Sequence, residues 1–146
     1  MTVLRFDNVG KQYPSGHRAL TDVSFAVNPG EMLFITGHSG AGKSTLLKLI
    51  HLSERPSSGA VLFGERNLRK VNGRGVAMHR REVGVVYQDH RLLTDRNVAE
   101  NVALPLEVRA LPDKEIRRRV RALLRSVGLE HRGDKFPPSL SGGEQQ

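Results

Sequence analysis

Residues Glu31 to Ile50 read EMLFITGHSGAGKSTLLKLI. Glu31 to Thr36 is a short, continuous apolar run, the pattern of a strand buried on both faces of a parallel sheet. Leucine and isoleucine at 46, 47, 49 and 50 follow with no breaker, which predicts a helix over Lys43 to Leu52 packed against that sheet. Between the two lies Gly37-His38-Ser39-Gly40-Ala41-Gly42-Lys43-Ser44, followed by Thr45. Phosphate oxygens need several donors converging on one point with no side chain in the way, so glycine stands where backbone must approach closely. A helix starting at Lys43 adds its positive end. Lys43 supplies a mobile charge for β- and γ-phosphates, and the Ser44 hydroxyl supplies a magnesium ligand. An apolar strand before the loop and a helix after it are the setting this chemistry requires. The stretch therefore reads as a cradle for ATP or another nucleoside triphosphate with Mg2+, and by itself it does not separate ATP from GTP.

Upstream, Val3 to Val9 alternates loosely and reads as a strand, and Lys11 to His17 carries the turn cluster Pro14-Ser15-Gly16. A second strand, Ala19 to Val27, ends at Asn28-Pro29-Gly30, where proline presets φ and glycine permits the turn. Downstream, Pro56 to Gly59 ends the helix, Ala60 to Phe63 is a small strand, and Asn67 to Arg81 is polar with a loosely helical end. Glu82 to Tyr87, EVGVVY, predicts a second buried strand with Gln88 at its carboxyl end. From Asn97 to Val108 the apolar residues follow helical spacing, with Thr94 or Asp95 as the cap and Pro105 predicting a kink or break. The clearest helix is Asp113 to Val127, with Ile116, Val120, Leu123, Leu124 and Val127 in one stripe between Pro112 and Gly128. Strands alternating with helices around a glycine loop define an α/β domain.

A second constellation is Leu140-Ser141-Gly142-Gly143-Glu144-Gln145. A serine hydroxyl and two glycine amides at a helix start form another anion site, too short to wrap a triphosphate alone and suited to a γ-phosphate held elsewhere. Together with the glycine loop, this segment resembles the signature of ATP-binding cassette (ABC) ATPases, and the resemblance runs the length of the chain. It implies a P-loop NTPase fold with an N-terminal antiparallel β portion and an inserted helical portion. The expected division is 1–93 for the β portion and phosphate-loop core and 94–146 for the helical portion through the signature. By the same resemblance, Tyr13 stacks on adenine, and Gln88 reaches magnesium and the attacking water while coupling to a membrane partner. Ser141, Gly142, Gly143 and Glu144 would meet the γ-phosphate of the other subunit in a head-to-tail homodimer.

Within the family, TGHSGAGKSTLLKLI, YQDHRLL, DRNVAENVALPL and LSGGEQQ are similar to the cassettes that serve bacterial cell division. That implies ATP binding and hydrolysis coupled to an integral membrane partner, at the inner face of the cell membrane, in the control of cell-wall hydrolysis during septation. Cassettes for lipoprotein release and macrolide export share the architecture and stand as alternatives. So does a soluble nucleic-acid-associated cassette, which the arginines at 117, 118, 119, 121 and 125 favour. A small-molecule kinase leaves LSGGE unexplained. His51-Leu52-Ser53 departs from the small residues usual after the phosphate-loop helix, which bears on local packing alone.

With 146 residues, 38% hydrophobic and 26% charged, the chain has the composition of one ordinary soluble domain. No apolar run approaches the roughly 18 to 20 residues that cross a bilayer, and the opening residues lack the apolar stretch of a signal peptide, so a cytoplasmic location is expected. The absence of cysteine excludes disulfides, thiolate metal sites and cysteine nucleophiles. The net charge of +8 is concentrated between Arg109 and Arg132 and reads as a solvated helix face, with no specific nucleic acid expected. Histidines 17, 38, 51, 79, 90 and 131 read as surface or loop residues. The acidic magnesium ligand, the water-polarising glutamate and the switch histidine of a cassette all follow the signature, and none is among these residues. The chain is therefore expected to be truncated, and to bind nucleotide without turning it over.

Overall fold

The computed structural model describes residues 2–146. Two compact units, Met1–Val85 and Val86–Gln146, each carry their own core.

In the first unit, β1 (Leu4–Gln12) and β2 (Arg18–Val27) pair antiparallel through a turn closed by the Tyr13 amide on the His17 carbonyl and the Gly16 amide on the Tyr13 carbonyl, each at 2.9 Å. Phe6 stands opposite Phe25, and their rings stack at 4.6 Å. β3 (Ser58–Phe63) pairs antiparallel with the other edge of β1, and the short β4 (Arg66–Asn67) completes the order β2-β1-β3-β4. Helix α1 (Lys43–Ile50) follows the glycine loop. Its Leu46 and Leu49 join Phe6, Val9, Leu20 and Val61 in the core, while Leu47 points out. Burying each such side chain contributes roughly 1.5–3 kcal/mol. Leu52, one of the residues departing from the family pattern, is buried with φ 58. Packing thus holds a leucine in a left-handed conformation that costs about 1 kcal/mol.

The ambiguous stretch 67–81 resolves into the end of β4, a 3-10 turn at Leu68–Lys70 capped by Asn67, and α2 (Arg74–Glu82). Helical spacing puts Val76 and His79 on one side of α2, against the core. His79 is fully buried, which corrects its reading as a surface residue. Its Nε2–H donates to the Ile50 carbonyl at 2.6 Å, and its ring stands edge-on to Phe63 at 5.2 Å.

The two buried parallel strands expected at 31–36 and 82–87 are absent. Glu82 closes α2, and among the described residues neither run has a ladder partner. Met32, Phe34 and Val86 are each more than three quarters exposed. An apolar run supplies a tendency to be buried, but a strand also needs neighbouring backbone to take up its N–H and C=O groups. Here β1 gives its two edges to β2 and β3, so the observed sheet is antiparallel.

In the second unit, α3 (Val98–Val108) is capped by Asn97 rather than by Thr94 or Asp95. The Asn97 side chain accepts from the Glu100 amide at 2.8 Å, and the Glu100 carboxylate accepts from the Asn97 amide at 2.8 Å. A reciprocal cap needs an acid three residues on, and of the three candidates Asn97 alone has one. The break expected at Pro105 does not occur: α3 runs on to Val108, with Val98, Val102, Ala103 and Leu106 in the second core. Helix α4 (Asp113–Ser126) buries Ile116, Val120 and Leu124, but Leu123 and Val127 stay at least half exposed, so its buried stripe is narrower than expected. After a 3-10 turn at Pro137–Ser139 and the buried Leu140, α5 (Gly142–Gln145) closes the described chain.

Candidate nucleotide-binding site

The first unit assembles the glycine loop at the start of α1. Gly42 stands at the cap position with φ 90 and ψ 0, and no side chain caps the helix. The first helical bond to the loop runs from the Leu46 amide to the Gly42 carbonyl at 3.0 Å, so among the described residues the amides of Lys43, Ser44 and Thr45 have no acceptor. No acidic residue stands in the first turn. A helix end with unsatisfied donors and no anion of its own is an anion site. Gly42 is wedged against β2, since a Cβ there would lie 2.4 Å from the Ala19 carbonyl oxygen, whereas a Cβ at Gly40 would meet nothing within 4 Å. Lys43 turns back across the loop, and its Nζ donates to the carbonyls of Gly37 at 2.6 Å and His38 at 2.8 Å. The ammonium is therefore held where an incoming phosphate can exchange for those carbonyls. His38 donates from Nδ1 to the Ser39 carbonyl at 2.7 Å and stays exposed with Ser39, Gly40 and Ala41. The exposed Ser44 makes no hydrogen bond with its hydroxyl among the described residues.

Tyr13 is brought to the same helix end. Its hydroxyl shares a hydrogen bond of 3.2 Å with Oγ1 of the buried Thr45, and its ring lies parallel to that of His17 at 6.5 Å. Sequence reasoning missed a neighbour. Nζ of Lys11 lies 5.0 Å from the Tyr13 ring centroid, while donating to Glu54 at 2.7 Å and to the Arg55 carbonyl at 2.9 Å. A lysine on an alternating strand gives no sign in the sequence that it will turn under a distant ring.

Gln88 and the LSGGE segment belong to the second unit. Gln88 is exposed in a turn closed by the His90 amide on the Tyr87 carbonyl at 3.3 Å, not at the end of a strand. Ser141 caps α5 in a second reciprocal box: the Glu144 amide donates to its Oγ, while its own amide and hydroxyl donate to Glu144 Oε2 at 2.9 and 2.8 Å. Those bonds from Ser141 hold the Glu144 carboxyl below the usual carboxylate range, and Arg132 at 3.2 Å adds to the effect. Arg132 was likewise not foreseen. Gly142 and Gly143 are exposed, with open space where a Cβ would stand.

These residues suit a phosphate ester and a hard cation. Uncapped amides, a lysine ammonium and a free hydroxyl are the donor set that phosphate requires. Among the described residues no group of three or more acidic or histidine side chains forms a metal cage. Mg2+ is usually held by one or two carboxylates with the substrate phosphates and waters, and the Ser44 hydroxyl supplies one oxygen toward such a set.

The fold and the loop define the class, and comparison with known proteins agrees. The model of the ABC transporter family matches residues 20–146, and the chain belongs to that family. Its fold is accordingly the P-loop nucleotide-binding domain of an ABC ATPase, here with an antiparallel sheet and helices. The chain is 51% identical over 144 residues to the cell division ATP-binding protein FtsE of Escherichia coli K12, covering 99% of itself and 65% of that protein. It is 42% identical to the methionine import ATP-binding protein MetN of Xanthomonas euvesicatoria pv. vesicatoria, covering 99% of itself and 44% of that protein. Among solved structures, the dimeric ATP-binding cassette MJ0796 bound to ADP and Pi superposes with a TM-score of 0.88 at 32% identity, over 97% of this chain and 65% of that one. The chain thus spans less than two thirds of the length of each of these relatives.

Proposed function

We propose that the chain is the ATP-binding subunit of an FtsE-like ABC complex, which couples ATP binding and hydrolysis to an FtsX-like integral membrane partner in bacterial cell division. The observation that carries this reading is the uncapped start of α1 with Lys43 folded across its loop, in a chain half identical to FtsE. Similarity to MetN keeps a transport role as the second reading.

In this reading residues 37 to 45 bind the triphosphate through backbone amides, and Lys43 exchanges its loop carbonyls for the β- and γ-phosphate oxygens. Tyr13 stacks on adenine, with its hydroxyl tied to Thr45 so that base and phosphates are located by one rigid turn. Ser44 would be a ligand of magnesium, which when bound neutralises phosphate charge during phosphoryl transfer, and the family resemblance gives Gln88 a magnesium-sensing role. Gln88 also senses the attacking water. Ser141 to Glu144 meet the γ-phosphate of the second subunit in a head-to-tail homodimer, for which the Ser141 hydroxyl must leave Glu144. No helix among the described residues is long and apolar enough to cross a membrane. The proposed place is the inner face of the cell membrane, beside the membrane partner.

Calorimetric titration of MgATP tests the reading. Wild type should bind, and Lys43→Ala should lose at least tenfold in affinity, because a charge-assisted hydrogen bond contributes about 1.5–3 kcal/mol. Equal affinity of the two proteins refutes it. An FtsX-like protein that fails to co-purify with the parent cassette would move the assignment to the transport reading.

A further inference from the structure

Helix α4 carries six basic residues against two acidic ones, and its two faces are sharply different. Ile116, Val120 and Leu124 are buried in the second core. At 100° per residue, Lys114, Arg117, Arg121 and Arg125 fall within a stripe about 80° wide, centred about 100° round the helix from the buried one. They span about 16 Å along the axis at 1.5 Å per residue. All four are exposed, and none makes an ion pair among the described residues. Glu115 is already occupied by Arg118 at 2.7 Å and Arg119 at 2.6 Å, and those two guanidiniums hold its carboxyl down to about 2. The groove along the stripe is lined by Lys114, Arg117, Arg118, Arg121, Arg125 and Ser126 with Ala122, and no acid enters it. Packing of the buried stripe therefore holds a row of cations along its flank, of which Arg117 and Arg121 also border a groove with Asp113, Glu130 and Asp134 without pairing to them.

We infer that this stripe docks directly on an anionic phospholipid surface. Four or more Lys or Arg on one face of an amphipathic helix suit a plane of phosphate headgroups, which asks for charge without sequence readout. A nucleic-acid groove would ask for more. The stripe has no Asn or Gln to read base edges, and α4 has no aromatic ring on which unpaired bases could stack. The inference stands apart from nucleotide binding.

The test is co-sedimentation of the 146-residue chain with vesicles of phosphatidylglycerol and phosphatidylcholine, against pure phosphatidylcholine, at about 0.1 M salt, where the Debye length is about 10 Å. Each cation held at an anionic surface strengthens partition about fivefold, so Arg117→Gln with Arg121→Gln should weaken it about 25-fold. Lys114→Gln with Arg125→Gln should act alike at the two ends of the stripe. Removing the same charge from the first unit, with Arg69→Gln and Lys70→Gln at exposed positions, should change partition less than twofold. Far-UV circular dichroism checks that every variant keeps its helices. Equal partition to neutral vesicles, equal losses from the Arg69 and Lys70 pair, or stripe variants that bind like wild type would overturn the proposal. A labelled DNA duplex bound more tightly than the anionic vesicles, and lost in both stripe variants, would also overturn it, in favour of nucleic acid.

Discussion

Two glycines two positions from each other in the loop should respond very differently to the same added methyl group. Gly40 has φ 84 and Gly42 φ 90, so alanine at either must take a left-handed conformation costing about 1 kcal/mol. Alanine also restricts the unfolded chain, which returns about 0.4–1 kcal/mol. Gly40→Ala should therefore destabilise the first unit by less than about 1 kcal/mol, because its Cβ meets nothing within 4 Å. At Gly42 the Cβ would stand 2.4 Å from the Ala19 carbonyl oxygen and 2.7 Å from Leu20 Cδ2. Real Cβ contacts do not fall below 3.0 Å, so β2 or the start of α1 must move by more than half an ångström. Overpacking of that kind costs about 1–3 kcal/mol, for a net total of roughly 1–3.5. With a urea slope of about 1.5–2 kcal/mol per molar, the midpoint should fall by about 0.5–2 M for Gly42→Ala and, in every case, by about 0.5 M or more beyond the fall for Gly40→Ala. Urea titration followed by circular dichroism measures both. Midpoints within 0.3 M of each other, a margin well inside the separation that slope gives, would refute the claim that close approach of β2, and not backbone conformation alone, requires glycine at 42.

Tyr13→Ala should weaken MgATP binding about two- to twelvefold, since an aromatic stack contributes about 0.5–1.5 kcal/mol; equal wild-type affinities for ATP and inorganic triphosphate would deny the ring that role. Asn97→Ala removes the reciprocal cap of α3 and should cost about 1 kcal/mol in thermal or urea unfolding of the second unit, whereas Asp95→Ala, three residues before a valine, should cost little. Because folding lowers the Glu115 carboxyl from 4.5 to about 2, its contribution is fully present above about pH 4.5 and fades as pH falls toward 2. The difference in melting temperature between wild type and Glu115→Gln should therefore be flat above pH 5 and shrink below it; a constant difference down to pH 2 would contradict the pairing with Arg118 and Arg119. Phosphate release by the 146-residue chain should show no Lys43-dependent turnover, since binding groups leave most of the barrier standing; repeated turnovers lost in Lys43→Ala would locate catalysis within these residues.

Local rules decided a good deal of this protein by themselves. The glycine pattern with Lys43 and Ser44, the helix after it, the hairpin around Pro14 to Gly16, the stripe of Ile116, Val120 and Leu124, and Ser141 as a cap are short-range facts of sterics, hydrogen bonding and period, and they are legible in the chain. The cap of α3 was legible too, for a reader who asked which polar residue has an acid three positions on. Tertiary structure decided what depends on distant neighbours. Whether Glu31 to Thr36 becomes a strand is set by backbone available to pair with it, which apolarity cannot supply, and here the run lies outside the sheet. His79 is buried because α2 lays it against Ile50 and Phe63, contacts separated in sequence by 29 and 16 residues. Lys11 under Tyr13, Arg132 on Glu144 and the wedge of β2 against Gly42 arise the same way. A residue type and its spacing fix what a group is able to do, while the partner that makes it do so is chosen by the packing of elements far apart in the chain.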